Sequence, residues 1–164
     1  MHHRSRAWVR RRLRSLALLE LANIPLQYVI WFNLIDVPAT TPNLIGFALF
    51  AILLVQGAAY WTAKLRQPAR SPLPGAGAFA AARLANPVLL AVGLAFLGWS
   101  VARDPGAGTL PGLGFALSAV LEYVNYFHVQ LMYDNAEDLR YLRTHGLRRA
   151  HLARDLRTVD ARES

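Results

Sequence analysis

The sequence predicts an all-α integral membrane protein, in which a bundle of four transmembrane helices built as two hairpins is followed by a cytoplasmic helical tail. Three observations predict it. Hydrophobic residues make up 54% of the 164 residues and charged residues only 17%, whereas charged residues are roughly 25% of a soluble protein. Four apolar segments are long enough to cross a bilayer. The basic residues, which give a net charge of +8, lie almost entirely on one side of these segments.

Each apolar segment has about 20 residues, which at about 1.5 Å per residue crosses a hydrocarbon core of about 30 Å. They are separated by short polar or proline-rich connections, so we expect each connection to be a loop. The predicted division is a basic cytoplasmic segment at 1–14, transmembrane helices at about 15–35, 43–63, 84–102 and 110–128, and a cytoplasmic helical tail at 129–164.

The first apolar segment has an alternative interpretation as a cleaved signal peptide, because arginines precede it. Its apolar region is longer than the roughly 7–15 residues of a signal peptide, and it contains Glu20, Asn23 and Gln27. A retained signal anchor is therefore favoured over a cleaved leader.

The distribution of charge predicts the orientation. Lys and Arg near membrane helices are retained on the cytoplasmic side. With four spans and the amino terminus inside, 17 of the 18 basic residues are cytoplasmic and only Arg103 is external. An odd number of spans would place the arginines of the tail outside. We therefore expect both termini in the cytoplasm, in a cell membrane of the bacterial inner-membrane type.

The tail carries a second amphipathic pattern. Leu147, Leu152 and Leu156 lie among arginines and predict a short helix at about 147–157. Such a helix would lie on anionic inner-leaflet lipid, as would the basic amino terminus, or on a partner. The alternative is a solvated charged tail. Upstream of it, Asp134 or Asn135 is predicted to cap a helical turn.

The two predicted hairpins resemble each other. A shift of 68 residues aligns Trp31 with Trp99, Asp36 with Asp104, and the Gly-Phe-Ala-Leu segment at 46–49 with that at 114–117. Apolar segments also resemble one another by chance, which is the alternative. Because the repeated unit has two spans, the copies would be parallel and related by an axis along the membrane normal.

Polar side chains within the predicted spans are costly in hydrocarbon, and they are the default candidates for a functional site. Nearly all of them lie on the first and fourth spans, where they form a candidate polar seam in the cytoplasmic half of the bilayer. Its residues are Glu20, Asn23, Gln27, Glu122, Asn125, Tyr126 and His128. The level pairs expected of antiparallel helices are Glu20 with His128, Asn23 with Asn125, and Gln27 with Glu122.

Four interpretations of the seam remain open. It is a set of structural hydrogen bonds, a proton or ion relay through Glu122 and His128, a binding site for a polar lipid or substrate, or a metal site. The metal site has the weakest pattern, since its only candidates are Glu20, Glu122 and His128. The chain has no Cys, so thiolate sites are excluded, and no cofactor or nucleic-acid partner is expected.

Three classes of function follow. The favoured one is an accessory or interaction subunit, because the chain is small, has basic tails and lacks a catalytic motif. Its expected partners are the bilayer and a membrane protein or a second copy of itself. The second is a small oligomeric transporter or channel using Glu122 and His128. The third is an enzyme that acts on a lipid head group at the cytoplasmic face.

Overall fold

A computed structural model describes residues 6–68, 71–131, 140, 143–144 and 146–163 of the chain, with side chains up to residue 157. The predicted cap at Asp134 or Asn135 lies outside these residues. The only β-structure among them is one isolated bridge between Val129 and Arg149. The helices are α1 (Arg6–Tyr28), which continues as a π-helical segment (Val29–Leu34), α2 (Thr41–Arg66), α3 (Ala76–Arg103), α4 (Leu110–Phe127) and α5 (His151–Glu163).

Three helices are long and apolar enough to cross a membrane, namely α1 with its π-helical segment, α2 and α3. Their outward faces carry large apolar side chains that no other element covers: Leu84 is 76% exposed, Val92 65% and Leu34 74%. Exposed apolar stripes of this length are stable in lipid and costly in water. The all-helical character is thus confirmed for the described residues, and three of the helices have the length and composition of membrane spans. Helix α4 has 18 residues and is shorter than the other three.

The helices begin earlier than the predicted spans. Helix α1 begins at Arg6 rather than near residue 15, and α3 begins at Ala76 rather than near residue 84. The predicted boundaries follow hydropathy, whereas a helix continues through polar residues that are good helix formers, as Arg and Ala are. The basic amino-terminal segment is therefore, from Arg6 onward, the first turns of α1.

Proline shapes α1 and α3 differently. Pro25 lies inside α1 and Pro87 inside α3, and each removes one backbone donor from its helix. Four residues after Pro25 the chain winds as a π-helix, in which the N–H of Ile35 donates to the carbonyl of Ile30 at 2.9 Å. Helix α3 continues as α-helix to Arg103. The wide π-helical turn ends at the outer loop.

Helix α2 is the central element, packed against α1, α3 and α4. Its interfaces with α1 and α4 are the most extensive, and α1 and α4 lie on its two sides with little contact between them. The interior consists of side chains such as Leu53, Leu54, Leu97 and Phe115, all less than a tenth exposed. Helix α1 itself contributes no buried residue, so it lies at the edge of the bundle.

A polar clasp joins α2 to α4 at their amino-terminal ends, which the predicted topology places outside and which we call the outer ends. The Asn43 side chain is fully buried; its amide donates to the carbonyls of Pro38 (2.9 Å) and Ala107 (2.8 Å), and its oxygen accepts from the Gly112 N–H (2.8 Å). Next to it, Gly46 and Gly112 are in backbone contact, and a Cβ on Gly46 would lie 2.6 Å from the Gly112 Cα. The two glycines are needed for this close approach of the helices.

The tail returns to the cytoplasmic end predicted for the bundle. Backbone bonds from Gln130 to Arg148 (2.8 Å) and from Ala150 to His128 (3.1 Å) fold residues 146–150 against the end of α4. Helix α5 then packs on α3 and α4, with Leu152 and Leu156 at 2% and 3% exposure. Leu147, which the sequence places on the same apolar face, precedes the helix and is 64% exposed. The apolar face of α5 thus contacts this chain's own helices.

Candidate functional site

Two helical faces form the two sides of the candidate site. On α1, Glu20, Asn23, Gln27 and Trp31 follow at i, i+3, i+7 and i+11, which places them along one face. On α4, a row at four-residue intervals runs inward from the outer end and includes Gly114, Ser118, Glu122 and Tyr126. The two rows lie on either side of α2, and they are bridged at one point.

Tyr126 makes that bridge. Its hydroxyl donates a short hydrogen bond to Glu20 Oε1, and the side chain is only 5% exposed. The ring reaches α1 because it crosses α2 at Gly57, where an added Cβ would lie 2.5 Å from the Tyr126 Cζ atom. The indole of Trp61, one turn along α2, lies near this hydroxyl.

Glu122 lies one turn outward of Tyr126 on α4, near enough to Glu20 and Tyr126 to act on both electrostatically. Asn125 interacts with its carboxyl group. The second oxygen, Oε2, is buried and has no hydrogen-bond partner among the residues that the structure describes. Glu20, Glu122 and Tyr126 therefore form one group, in which two carboxyl groups share a mostly apolar environment.

The amides of α1 bond along their own helix. Gln27 Nε2 donates to Asn23 Oδ1 at 3.3 Å, and Trp31 Nε1 donates to Gln27 Oε1 at 3.0 Å. These side chains therefore find hydrogen-bond partners within one helix. In hydrocarbon this avoids the free-energy cost of unpaired polar groups. It needs no level partner on α4.

The level pairs expected from the sequence therefore differ from those in the structure. Glu20 bonds Tyr126 rather than His128. Asn125 Oδ1 accepts from the Leu131 N–H at 2.8 Å, and His128 Nε2 is 3.1 Å from the Tyr123 hydroxyl, in an exposed position. The expectation assumed direct contact between the first and fourth helices. With α2 between them, the hydrogen bond across the seam is made by the long Tyr126 side chain.

The three weak metal candidates are not brought together, because the His128 ring contacts Tyr123 while Glu20 and Glu122 lie at Tyr126. Within the described ranges, no group of three His, Asp or Glu residues has a geometry able to hold a metal ion.

A groove opens between α1 and α4 on the outer side of the Tyr126 bridge. It has a volume of about 600 Å³ and a mostly apolar lining. Trp31 and Phe115 both line it and contact each other edge-to-face, with ring centroids 5.5 Å apart, and Phe50 of α2 contributes to the lining. Gln27 and Ser118 also line it. A cavity of this size is in the range of small-molecule binding sites, about 300–1,000 Å³.

A second polar cluster, at the inner end of α2, was not predicted from the sequence. Asp155 of α5 accepts from the Tyr60 hydroxyl at 2.9 Å and forms an ion pair with Lys64 at 2.8 Å. His151 stands edge-on to the Trp61 ring, with centroids 6.2 Å apart, and its Nδ1 is 2.8 Å from Arg154 Nη2. No periodicity links residues so far apart in the chain, so the sequence carries no signal for this cluster.

Gly57 and Trp61 were also missed. Gly57 resembles any other small residue of an apolar helix, and its role becomes visible only when Tyr126 is placed above it. A glycine inside a helix lowers its stability by about 1 kcal/mol relative to alanine. A glycine in α2 therefore suggests that close packing requires it, and this is the one signal that the sequence offered.

Comparison of the chain with known protein families, with curated proteins and with solved structures finds no match. The geometry of the site is therefore the basis for the functional conclusion.

Tyr126→Phe removes the hydrogen bond to Glu20 and leaves a carboxyl group without its donor. We expect a loss of stability of about 1–3 kcal/mol, measured by thermal unfolding of the purified protein in detergent.

Gly57→Ala should destabilise the protein at least as much, because the added Cβ overlaps the Tyr126 ring. The matched control is Gly98→Ala in α3, where no atom lies within 4 Å of the added Cβ. Equal melting temperatures for the parent protein and these three variants would contradict a stabilising contact between Tyr126 and Glu20.

Acidification is expected to release α5. Burial of the ring is the main reason why the pKa of His151 is lowered to about 4. The charges of Arg154, Arg148 and Lys64 lower this pKa further, and the charge of Asp155 opposes them. An undocked histidine has its ordinary pKa of 6.5. Between pH 6.5 and about 4 the undocked form therefore binds the proton more tightly, so docking is complete above this window and weakens as the pH falls through it.

Energy transfer between fluorophores on Ser71→Cys and Arg157→Cys measures this release, and the absence of native Cys makes both labels specific. His151→Gln should abolish the change between pH 6.5 and 5. Release of α5 by His151→Gln with the same pH profile as the parent protein would show that His151 is not the titrating group.

Proposed function

We propose that this chain is a four-span accessory protein of a cell membrane, with both termini in the cytoplasm, which works by binding a membrane-embedded molecule in the groove between α1 and α4. The observation that carries the proposal is the groove itself. It is lined mainly by apolar residues of α1 with its π-helical segment, of α2 and α4, and of the loop before α4, a lining that suits a molecule dissolved in the bilayer.

Several features support α4 as the fourth span. It packs along α2 over a large interface, and its 18 residues correspond to about 27 Å of helix, close to the hydrocarbon thickness of about 30 Å. Its polar residues lie on the face that carries Tyr126, which is directed into the bundle. Crossing by α4 also returns the arginines that follow it to the side of those in the first turns of α1, as the positive-inside rule requires.

The proposed duplication of a two-helix unit is supported by the packing of its equivalent parts. Under the shift of 68 residues α2 corresponds to α4, and these two helices form the centre of the bundle. Thr40 corresponds to Gly108, and the Thr40 hydroxyl donates to the Gly108 carbonyl. Residues related by a two-fold axis meet when they lie near that axis, so this contact fits an axis between α2 and α4.

Binding at the groove explains why α1 is attached as it is. The helix contributes no buried residue, and its cross-bundle hydrogen bond to α4 is at Glu20, near the inner end. Its outer half is therefore separated from α4 by the groove, with Gln27 and Trp31 on the lining. An accessory protein needs a stable scaffold and one adaptable surface. Here α2 and α4 together form the scaffold, and α1 forms part of the adaptable surface.

Transport is the second candidate, in the form of a small oligomeric transporter or channel. It is favoured by the paired carboxyl groups of Glu20 and Glu122 in the inner half of the proposed membrane segment, since intramembrane acids commonly mark proton or ion paths. A relay that includes His128 has less support, because the ring contacts Tyr123 in an exposed position. The exposed position of His128 also argues against an enzyme that acts on lipid head groups, because Glu20, Glu122 and His128 do not form one site.

The topology predicts which single cysteines react from outside. In intact cells, a membrane-impermeant maleimide should label Gly106→Cys in the outer loop and should not label Ser71→Cys or Thr144→Cys. Both of the latter should react after the membrane is permeabilised. Labelling of Thr144→Cys from outside, with Ser71→Cys still protected, would mean that α4 does not cross.

Photo-cross-linking tests the binding function. A benzophenone maleimide on Ser118→Cys places the reactive group on the groove lining, whereas the same group on Ala91→Cys lies on the exposed face of α3. After irradiation in native membranes and purification, intact-mass spectrometry should find a discrete adduct at position 118 and only a mixture of bulk lipids at position 91. Identical adduct mixtures at the two positions would refute a binding groove.

A further inference from the structure

The charged side chains along the groove and the polar group below it have a single sign. From residue 15 to the end of the π-helical segment, the only charged residue of α1 is Glu20, and the only charged residue of α4 is Glu122. The nearest basic residues lie at the helix ends, in the sequence regions assigned to the two aqueous sides. None of the residues that line the groove is charged, so the charged side chains that α1 and α4 bring to this seam are these two carboxyl groups.

Glu122 lies one helical turn beyond the residues of α4 that line the groove. Ser118 lines the groove, and Glu122 follows it by one helical turn on the same face of α4. Its Oε2 atom is buried and has no hydrogen-bond partner in the part of the chain that the structure describes. Glu20, by contrast, already accepts a hydrogen bond from Tyr126. The carboxyl group with spare acceptor capacity is thus the one at the inner end of the groove.

The walls of the groove are aromatic. Trp31, Phe50 and Phe115 line it, and the Phe115 ring is 5.7 Å from the Phe50 ring as well as 5.5 Å from that of Trp31. Aromatic faces attract cations through the negative potential of the ring, and they also pack well against apolar groups. A carboxylate behind aromatic walls is complementary to a positive charge that is surrounded by apolar groups.

We propose that the ligand of the groove is a lipophilic cation, an amphiphile whose positive charge lies among apolar or aromatic substituents, held with its charge toward Glu122. The proposal rests on the binding function assigned to the groove and names the chemical class of its ligand. The groove determines the size of the ligand and the aromatic walls hold its apolar groups. Glu122 selects the sign of its charge, because an anion would be brought toward two acids without any counter-charge.

The test uses two probe ions of nearly the same size and shape and opposite charge, tetraphenylphosphonium and tetraphenylborate. Equilibrium dialysis with the purified full-length protein in detergent, corrected for uptake by empty micelles, measures binding. Tetraphenylphosphonium should bind saturably and tetraphenylborate should not. Glu122→Gln keeps the size of the side chain and should weaken tetraphenylphosphonium binding by about tenfold or more.

Two further variants separate charge from access. Gly114→Trp fills the groove from α4, at a glycine whose added Cβ meets no atom within 4 Å, and it should abolish binding while Glu122 is intact. Ala91→Trp on the exposed face of α3 is its matched control and should bind as the parent does. Circular dichroism and the melting temperature establish that each variant is folded.

The outcomes separate this inference from the function that it refines. Saturable binding of both ions, sensitive to Gly114→Trp and insensitive to Glu122→Gln, would overturn the cationic class and leave a groove for neutral amphiphiles or a partner's helix. Cation binding that persists in Gly114→Trp would overturn the proposed location. A discrete adduct at position 118 without any tetraphenylphosphonium binding would refute the cation proposal alone, whereas identical adducts at positions 118 and 91 would refute the binding function.

Discussion

The close approach of α2 and α4 at their outer ends is the constraint on which the rest of the bundle depends. Gly46 and Gly112 allow the two backbones into contact, and Asn43 satisfies the polar groups that this contact buries. Because α4 is held tightly against one side of α2, α1 is left with the other side. The α1–α4 seam is consequently a gap to be bridged rather than a helix–helix interface.

This gap determines how polar residues are used. At its inner end the gap is closed by the one side chain long enough to cross α2, Tyr126, at the one position of α2 where a glycine makes room for it. Farther out the Trp31 ring meets that of Phe115 edge-to-face, and the groove lies beside this ring pair. The same helix arrangement thus produces a fixed contact and an open cavity within one seam. A bundle in which α1 and α4 packed directly would have neither.

The sequence predicted much of this and failed in particular places. The apolar segments and the polar faces of α1 and α4 were visible because each depends on local composition and on helical periodicity. The level pairs were wrong, because depth alone does not tell whether a third helix intervenes. Glu20 and Glu122 were identified as candidates, yet the role of Gly57 and the bonds from Asp155 to Tyr60 and Lys64 depend on residues far apart in the chain. Packing of that kind has no one-dimensional pattern.

The clasp at Asn43 has a consequence for biogenesis. Asn43 belongs to the first hairpin, but two of its three hydrogen bonds are to Ala107 and Gly112 of the second. During synthesis the first hairpin is therefore complete in sequence while its most buried amide still lacks those partners. Insertion of α3 and α4 supplies them, so the maturation of the first hairpin waits for translation of the second. A nascent chain arrested between α2 and α3 would expose this amide to quality-control proteases of the membrane.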